Sequence, residues 1–495
     1  MCDGQQQLQR SVASQTGRLP VGRRLLVHPR RDGAPRPVLH RAARAGRALT
    51  VVARAQRERC IGLAEALSLI ESVLADAGLS AEFLSTGSPE FPVHRCTLRD
   101  PAGRVLTASL GKGAGAQSTV SALFEAWQHL QHEEGQAALP GDHRRARAVP
   151  VATVVAQPEL CGEQMIHRLA RDYPDIDLAC LRAEPLNSER AALWYPAFTR
   201  SPSCRSHPIP GDDLRYEPYL RYAYDNGTAT GATEPEALLH GLLEVVERDA
   251  LSHALLDWYL DERPRLSALG PDLLPPDLRR LHDEATARLG APPLLIDITS
   301  DLGIPAYCAL PSRAGPYPGV VGSGASLDPE YAVERALTEV IQSSFNLSLG
   351  VDLTLGRRLQ SLRRWPLLER CARLDPAPLL DHLTFDARLP GPRPEDAAGR
   401  DSGAAGGHPA PPPADRQGPE AAGGGPGDVG AQVATVLETL ERAGLPAYSF
   451  RWNPAHDRCP VLTVIVPGLE MFSMVHSAVP VFPTGRAVRR LAGHR

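Results

Sequence analysis

Three segments of the chain place polar residues three or four positions apart, each after a glycine-rich stretch. These residues are Ser121, Glu125 and Gln128 after 111–113; Glu236, His240, Glu244, Glu247 and Arg248 after 226–231; and Arg335, Glu339 and Gln342 after 322–325. Residues with this spacing lie on one face of a helix. Each segment therefore predicts a helix that carries a column of polar side chains.

The glutamates of these columns stand among apolar neighbours such as Leu242, Leu243, Val245 and Val246. Carboxylates in a buried helix are costly unless a cation or a hydrogen-bonding partner compensates them. Mg²⁺ prefers such oxygen ligands and keeps phosphates as further ligands. Four glutamates are therefore predicted to hold Mg²⁺: Glu125, Glu244, Glu247 and Glu339. The alternative for any one segment is an ordinary amphipathic helix with solvated glutamates, but three matching segments favour the metal site.

The first glycine stretch contains Lys112, the only lysine in the chain, between Gly111 and Gly113. An ammonium group beside two glycines, just before a helix, suits an anionic ligand that approaches backbone N–H groups. A lysine left by chance on a surface loop is the alternative, because the bias towards arginine reflects overall composition. None of the three stretches has the pattern G-x-x-x-x-G-K-[ST], which argues against a P-loop site.

Alternating helical and strand-like patterns surround these segments. A helical pattern begins at Ile61, and strands are predicted at 91–98 and 105–110, immediately before the first glycine stretch. Near the other end of the chain, a helix is predicted through 433–445 and a strand at 461–466. The alternation predicts an α/β or α+β domain.

Two segments lack the apolar spacing of a packed core and are predicted to be disordered. Residues 1–60 are rich in arginine, and residues 389–429 are rich in Gly, Pro and Ala. The predicted domain therefore comprises residues 61–388 and continues in 430–495. A basic arm for RNA or acidic partners is the alternative for the first segment.

Composition narrows the class of protein. The 495 residues are 43% hydrophobic and 22% charged, which is typical of globular proteins. A formal net charge of −4 argues against general nucleic-acid binding. Nine scattered cysteines without a C-x-x-C pair favour reduced thiols and a cytoplasmic location, and no apolar run is as long as a membrane helix. Four histidines lack fixed metal-ligand spacing and are predicted to lie at the surface: His94, His129, His132 and His143.

Together, the three segments resemble the YcaO domain family. In that family G-K-G precedes S-x-x-x-E-x-x-E-R, N-G-x-A-x-G precedes E-A and E-x-x-E-R, and G-x-G-A precedes R-A-L-T-E-x-x-Q-x-R. The chain has all three segments in order, and residues 466–470 resemble a V-P-G-L-E segment near the end of such domains. The resemblance implies a YcaO-type ATP-binding fold in which three glycine-loop/helix segments surround one nucleotide site.

The resemblance also implies an activity that needs ATP and Mg²⁺, namely phosphorylation of a backbone amide oxygen in a peptide. Attack by a Cys, Ser or Thr side chain then gives an azoline, and attack by an external nucleophile gives a thioamide or amidine. By position, the four glutamates named above bind Mg²⁺. Six residues contact the nucleotide: Lys112, Ser121, Glu236, His240, Arg248 and Gln342.

The chain departs from the family pattern in three ways. Gln128 and His129 stand where the first segment usually has Glu and Arg, and an amide is a poorer metal ligand than a carboxylate. Ser344 replaces the arginine of the third segment and removes a positive charge. The sequence also lacks the P-x-P-x-P tail of many azoline-forming members. The first two departures weaken the expectation of turnover, and the third weakens the azoline assignment.

Three functional hypotheses follow. The leading one is ATP-dependent modification of a ribosomally made precursor peptide during biosynthesis of a peptide natural product. The second is a degenerate YcaO protein that acts as a non-catalytic scaffold for a peptide or partner, and the third is an accessory role in methylthiolation of a ribosomal protein. A ThiF-like or TfuA-like partner and a homodimer are left open, whereas a membrane and specific nucleic acid are not expected as partners.

Overall fold

Three strands that contain glycine or are flanked by it each lead into a long helix, and these three strand–helix units organise the fold. The computed structural model describes residues 57–187, 189–200, 204–260, 266–313, 319–348, 355–389 and 428–487. Within these residues the strands form three sheets, and each sheet contributes one of the three units.

The bounds of the elements in the described residues are as follows. The strands are β1 (Ser80–Gly87), β2 (Pro92–Arg99), β3 (Val105–Gly111), β4 (Ala146–Pro150), β5 (Asp177–Pro185), β6 (Leu193–Pro196), β7 (Thr228–Thr230), β8 (Leu266–Leu269), β9 (Pro293–Asp297), β10 (Ala306–Pro311), β11 (Gly322–Ala325), β12 (Leu383–Ala387), β13 (Tyr448–Arg451) and β14 (Val461–Ile465). The helices are α1 (Leu63–Asp76), α2 (Ala116–Ala138), α3 (Val151–Val155), α4 (Gln164–Asp172), α5 (Glu234–Leu260), α6 (Pro276–Leu289), α7 (Pro329–Ser348), α8 (Leu355–Leu362), α9 (Pro366–Arg373), α10 (Ala377–Leu380) and α11 (Val429–Arg442). Short 3₁₀ helices are Leu139–Gly141, Pro158–Leu160, Ala197–Thr199, Glu217–Tyr222, Pro271–Leu273 and Phe472–Ser477.

The first sheet is antiparallel, in the order β1-β2-β3. The second has the order β11-β10-β9-β8-β12 and is antiparallel except for the parallel pair β8–β12. The third is antiparallel in the order β4-β5-β13-β14-β7, with β6 paired to β5. The strands β3, β11 and β7 are therefore edge strands, and they precede α2, α7 and α5 respectively.

Helix α5 lies in the middle of the fold because it is apolar on most of its circumference. Leu242 and Leu243 are fully buried, and Val245 and Val246 are at most 2% exposed. These side chains pack with strand β14 and helix α11 in one apolar core. A helix that is apolar almost all round must be covered on most sides. In the polar column of α5, Glu236 and Glu247 are buried, whereas Glu244 and Arg248 remain partly exposed.

The glycines that end β3 and form β11 allow each strand to pack closely against its own following helix. A Cβ atom on Gly111 would overlap the backbone of Ser118 and Ala122, and one on Gly322 would overlap Ala336 O and Val340 N. The sequence suggested that such glycines bring backbone close to a ligand. At Gly111 and Gly322 the close partner is the helix itself.

We therefore expect Gly322→Ala to lower the free energy of unfolding by about 1–3 kcal/mol, because the added methyl group overpacks a rigid backbone contact. Gly141→Ala is the matched control, since a Cβ atom there meets nothing within 4 Å. Urea denaturation of both variants measures the difference. Equal midpoints for Gly322→Ala and the wild type would contradict the role given to this glycine.

Several elements agree with the sequence prediction. The structure confirms the helix near Ile61, the two strands before the first glycine stretch, and the helix and strand near 433–445 and 461–466. Of the predicted disordered segments, 1–56 and 390–427 lie outside the described residues. Glu58 does not fit the predicted start at residue 61, because its side chain is only 3% exposed. No helix in the described ranges is long and apolar enough to span a membrane.

Candidate nucleotide and metal site

Each of the three long helices forms a hydrogen bond with the strand of the next unit. Helix α2 contacts β7, α5 contacts β11, and α7 contacts β3. The bonds are Gln128 Nε2 to Thr228 O (2.8 Å), Ser323 Oγ to Glu247 Oε1 (2.7 Å) and Gln342 Nε2 to Leu110 O (2.7 Å). This cyclic arrangement brings the three polar columns to one place.

Charged residues from the three units alternate in sign at this centre. Lys112 Nζ lies 2.6 Å from Glu339 Oε2. The guanidinium group of Arg248 lies 4.0 Å from Glu339 Oε1 and 4.0 Å from Glu244 Oε1. The structure therefore brings together Lys112, Glu339, Arg248 and Glu244, which the sequence predicted to share one site.

A second charged group forms around Arg335, which is mostly buried. Arg335 Nη2 lies 3.3 Å from Glu247 Oε2, and Nη1 lies 3.9 Å from Glu58 Oε2. Glu58 also accepts a hydrogen bond from Ser326 Oγ. Residues just before α1 thus reach the site, where Glu58 shares Arg335 with Glu247.

Burial and the neighbouring charges set the protonation of the glutamates. Burial raises the pKa of Glu125 to about 7, although Lys112 opposes this shift. Burial likewise raises the pKa of Glu244 to about 8, against the charge of Arg248. Burial also tends to raise the pKa of Glu339, but the positive charges of Lys112 and Arg248 outweigh this effect. The pKa of Glu339 therefore lies below its ordinary value. Glu339 is therefore ionised, whereas Glu125 and Glu244 take up protons near neutral pH.

The remaining predicted nucleotide ligands lie on the same three helices. Ser121 Oγ accepts a hydrogen bond from Lys112 N at 3.4 Å. Glu236 is buried and accepts hydrogen bonds from Cys60 N and from Ala232 N. Burial and the charge of Arg335 hold the pKa of His240 well below its ordinary value, so its imidazole is neutral. Contact of these residues with a nucleotide stays a prediction.

The two departures within the segments have protein partners. Gln128 is 9% exposed and uses its amide in the bond to β7 described above. Ser344 donates a hydrogen bond to Ile341 O, one turn earlier in α7, at 2.7 Å. Neither side chain offers the charge that the family pattern has at its position.

Sequence reasoning did not assign His476, which lies in the 3₁₀ helix Phe472–Ser477. This helix packs against α5, and Ser473 N donates a hydrogen bond to Ser252 Oγ at 2.8 Å. His476 Nδ1 lies 2.6 Å from Ser473 O and its Nε2 lies 3.4 Å from Ser477 Oγ. Burial and the charge of Arg248 lower the pKa of His476 to about 4. The only sequence signal was its position shortly after residues 466–470.

The carboxylate ligands and the arginine hydrogen-bond donors at this centre together fit a magnesium ion bound to phosphate. Among the residues that the structure describes, no three His, Cys, Asp or Glu side chains stand close enough to hold a metal ion by themselves. Mg²⁺ is commonly bound by one or two carboxylates together with phosphates and water. Arg248 Nε and Arg335 Nε are buried and donate no hydrogen bond. Buried donors without an acceptor are costly, and phosphate oxygens are suitable acceptors.

Comparison with known proteins supports this interpretation of the fold. A profile of the YcaO family, described as a YcaO cyclodehydratase that binds ATP and Mg²⁺, matches residues 110–470. An uncharacterized protein of Methanothermobacter thermautotrophicus is 30% identical over 280 residues, which are 52% of this chain and 61% of the relative. An uncharacterized protein in the tfuA 3′ region of Rhizobium leguminosarum bv. trifolii is 37% identical over 133 residues, or 25% and 31% of the two chains. The chain thus matches less than two thirds of the length of either relative.

Two solved structures have the same fold. The YcaO protein from Methanopyrus kandleri, bound with AMPPCP and Mg²⁺, is 21% identical with a TM-score of 0.53, and the match covers 88% of this chain and 98% of that one. A heterocyclase in complex with substrate and cofactor is 19% identical with a TM-score of 0.52, covering 86% and 58%. Since the family profile spans well over half of the sequence, the chain belongs to the YcaO family, whose domain binds ATP and Mg²⁺.

Proposed function

We propose that this protein uses ATP and Mg²⁺ to activate a backbone amide of a ribosomally made peptide. The amide oxygen attacks the γ-phosphorus of ATP, and ADP leaves. A Cys, Ser or Thr side chain of the peptide, or an external nucleophile, then attacks the amide carbon, and phosphate leaves with the former amide oxygen. The product is an azoline in the first case and a thioamide or amidine in the second.

The observation that carries this proposal is the alternation of charges contributed by all three strand–helix units. Transfer of a phosphoryl group requires mainly positioning and neutralisation of negative charge. Lys112, Arg248 and Arg335 supply positive charge, and each lies beside a glutamate carboxylate. Mg²⁺ can replace the basic residue as the partner of that carboxylate. We assign Glu125, Glu244, Glu247 and Glu339 to the metal, and the three basic residues to the phosphates.

A TfuA-like partner protein is part of the proposal, because one relative is encoded beside tfuA. This neighbourhood favours a thioamide over an azoline. None of the cysteines in the described residues forms a disulfide bond. Reduced thiols are typical of cytoplasmic proteins, and we propose a cytoplasmic site of action.

One observation favours a second function, a scaffold that binds a peptide without turnover. The amide of Gln128 is engaged with the backbone of β7, so α2 offers Glu125 but no second carboxylate to a metal. A scaffold of this kind would bind a precursor peptide and leave its mass unchanged.

Mass spectrometry of a small peptide encoded beside this protein distinguishes these functions. The peptide is incubated with the protein, ATP and Mg²⁺, with and without sulfide and a TfuA-like protein. Loss of water identifies an azoline, and exchange of oxygen for sulfur identifies a thioamide. Peptide binding without a change in mass or ATP hydrolysis would overturn the catalytic proposal and support the scaffold.

Binding of Mg-ATP is expected to strengthen between about pH 6 and pH 9. Metal ligands must be deprotonated, and the pKa values of Glu125 and Glu244 are raised to about 7 and about 8. Calorimetry in buffers of different ionisation enthalpy should show protons released on binding, and fewer released by Glu244→Gln. Affinity that does not change with pH would contradict the assignment of these two glutamates.

The stability of the metal-free protein should follow the opposite trend. The unfolded chain loses these protons near the ordinary value of 4.5, whereas the folded protein retains them to about 7 and about 8. The unfolded state therefore binds fewer protons in this interval, and the contribution of both groups to stability falls as the pH rises from about 4.5 to about 8. Thermal melts without Mg²⁺ measure this trend.

A further inference from the structure

Gln128 stands where the family pattern has a glutamate, so α2 offers one carboxylate fewer to a metal than that pattern does. Its side-chain nitrogen is held by Thr228 O at 2.8 Å, next to the beginning of β7. An amide is a weak ligand for Mg²⁺ compared with a carboxylate. A metal-binding centre with this amide needs another oxygen ligand from nearby.

Asp225 brings a carboxylate to the same place from the loop that precedes β7. Its Oδ2 lies 3.4 Å from Nδ1 of His132, which is on α2 one turn after Gln128. His132 is only 5% exposed, so the prediction of a surface histidine is wrong at this position. The other nitrogen of His132 lies 2.8 Å from Gln136 Nε2. The imidazole is therefore fixed on both sides and holds Asp225 against α2.

Two oxygen atoms at this position lack partners. Asp225 Oδ1 and Asn226 Oδ1 are buried, and neither accepts a hydrogen bond. Asn226 as a whole is 4% exposed. The nearby Thr228 hydroxyl lies 2.6 Å from Thr463 Oγ1 and also interacts with the Asp225 carboxylate. A buried acceptor without a partner costs about 1–3 kcal/mol. Two such acceptors on adjacent residues indicate that this position binds a cation or a hydrogen-bond donor.

The charges around Asp225 indicate a cation. The carboxylate of Asp225 faces Nδ1 of His132 with Oδ2 at 3.4 Å, and its buried Oδ1 is left for a positively charged partner. Strand β7, which follows Asp225, packs against both α2 and α5, so Asp225 lies near the helices that carry Glu125 and Glu244.

We propose that Asp225, oriented by His132, supplies a carboxylate oxygen to Mg²⁺ beside Glu244, where Gln128 offers the ion no carboxylate. The inference rests on the proposed function, because it concerns the Mg²⁺ that accompanies ATP. The unpaired Asn226 Oδ1 is a neutral oxygen in the same position. Phosphates and water complete the coordination, as is usual for this ion. His132 acts as a positioning residue, since a ligand carboxylate is itself held by a hydrogen bond.

Binding of Mn²⁺, followed by electron paramagnetic resonance in the presence of AMPPCP, tests the inference on the full chain. We expect Asp225→Asn to weaken Mn²⁺ binding by at least about tenfold and His132→Ala to weaken it by about tenfold. Asp297→Asn is the matched control, because this carboxylate accepts a hydrogen bond from Thr299 N in the second sheet. Circular dichroism and thermal melts establish that each variant is folded.

The outcomes separate this inference from the function on which it rests. If the wild type binds Mn²⁺ with AMPPCP and Asp225→Asn binds it equally well, Asp225 is not a ligand and the proposed function stands. If the wild type itself binds no Mn²⁺ with AMPPCP, both proposals fail. Weak binding by Asp225→Asn and His132→Ala, with normal binding by Asp297→Asn, supports the inference.

Discussion

Glu247→Gln is expected to abolish ATP turnover and to weaken binding of Mg-ATP by about 10- to 100-fold, the range for altered metal sites. The substitution keeps the shape of the side chain and the bond from Ser323 Oγ, which lies 2.7 Å from Glu247. It removes the charge that faces Arg335 at 3.3 Å and that we assign to Mg²⁺. Isothermal titration calorimetry measures the affinity, and phosphate release measures turnover.

Loss of this charge also affects folding, because Glu247 is 1% exposed. Arg335 retains Glu58 at 3.9 Å, so we expect a loss of about 1–3 kcal/mol in stability, as for a buried charged hydrogen bond. Glu234→Gln on the same helix is the control: its exposed pair with Arg451 contributes about 1 kcal/mol or less. If folded Glu247→Gln binds Mg-ATP like the wild type, the assignment of Glu247 to the metal is wrong.

The sequence was sufficient to predict the three polar helices, for a physical reason. It did not predict strands β7 and β11, which lie where glycine loops were expected. Helical periodicity is a local property, and residues three and four apart must share a face wherever the helix lies. The columns ending in Arg248 and Gln342 therefore appeared correctly on helices α5 and α7. The repetition of the columns and the family resemblance suggested that the columns meet. Periodicity within one segment gives no information about contacts between segments.

The partners of individual side chains could not be predicted in the same way. Gln342 was expected at the nucleotide, yet its amide holds Leu110 O in β3. Glu236 was expected there too, and it accepts hydrogen bonds from the residues around Cys60 and Ala232. Both contacts depend on the relative placement of distant parts of the chain. Polar residues in a column can therefore serve ligand binding or hold the units together, and spacing does not distinguish these roles.

Glu58 and Asp225 were missed for a related reason. Neither belongs to a helical column, and Glu58 lies at the end of a segment whose composition predicts disorder. Glu58 is nevertheless buried against Arg335, because that guanidinium group needs a second carboxylate. Buried charges recruit partners from any part of the chain that reaches them. Such partners are recognised only when the unpaired charge and its surroundings are known.

Lys112→Ala is expected to leave the fold intact and to weaken ATP binding by about 1–3 kcal/mol, the range for a charged hydrogen bond. Lys112 and Glu339 are 22% and 18% exposed in their side chains. Glu339 keeps Arg248 at 4.0 Å after the substitution, so the loss of stability should be below about 1 kcal/mol. Thermal melts and calorimetry with Mg-ATP separate the two effects, with Arg280→Ala as a basic-residue control outside the site.

Lys112→Arg tests whether this lysine is required in a chain whose other basic residues are arginine. The ammonium group meets Glu339 Oε2 as a point charge at 2.6 Å, and it follows Gly111, which is packed against α2. The next residue, Gly113, has a φ of 131°, a conformation that side chains rarely adopt. The larger planar guanidinium group cannot occupy the same point without moving Glu339 or this tight backbone. We therefore expect Lys112→Arg to bind and hydrolyse ATP less well than the wild type; equal binding and turnover would show that any cation suffices at this position.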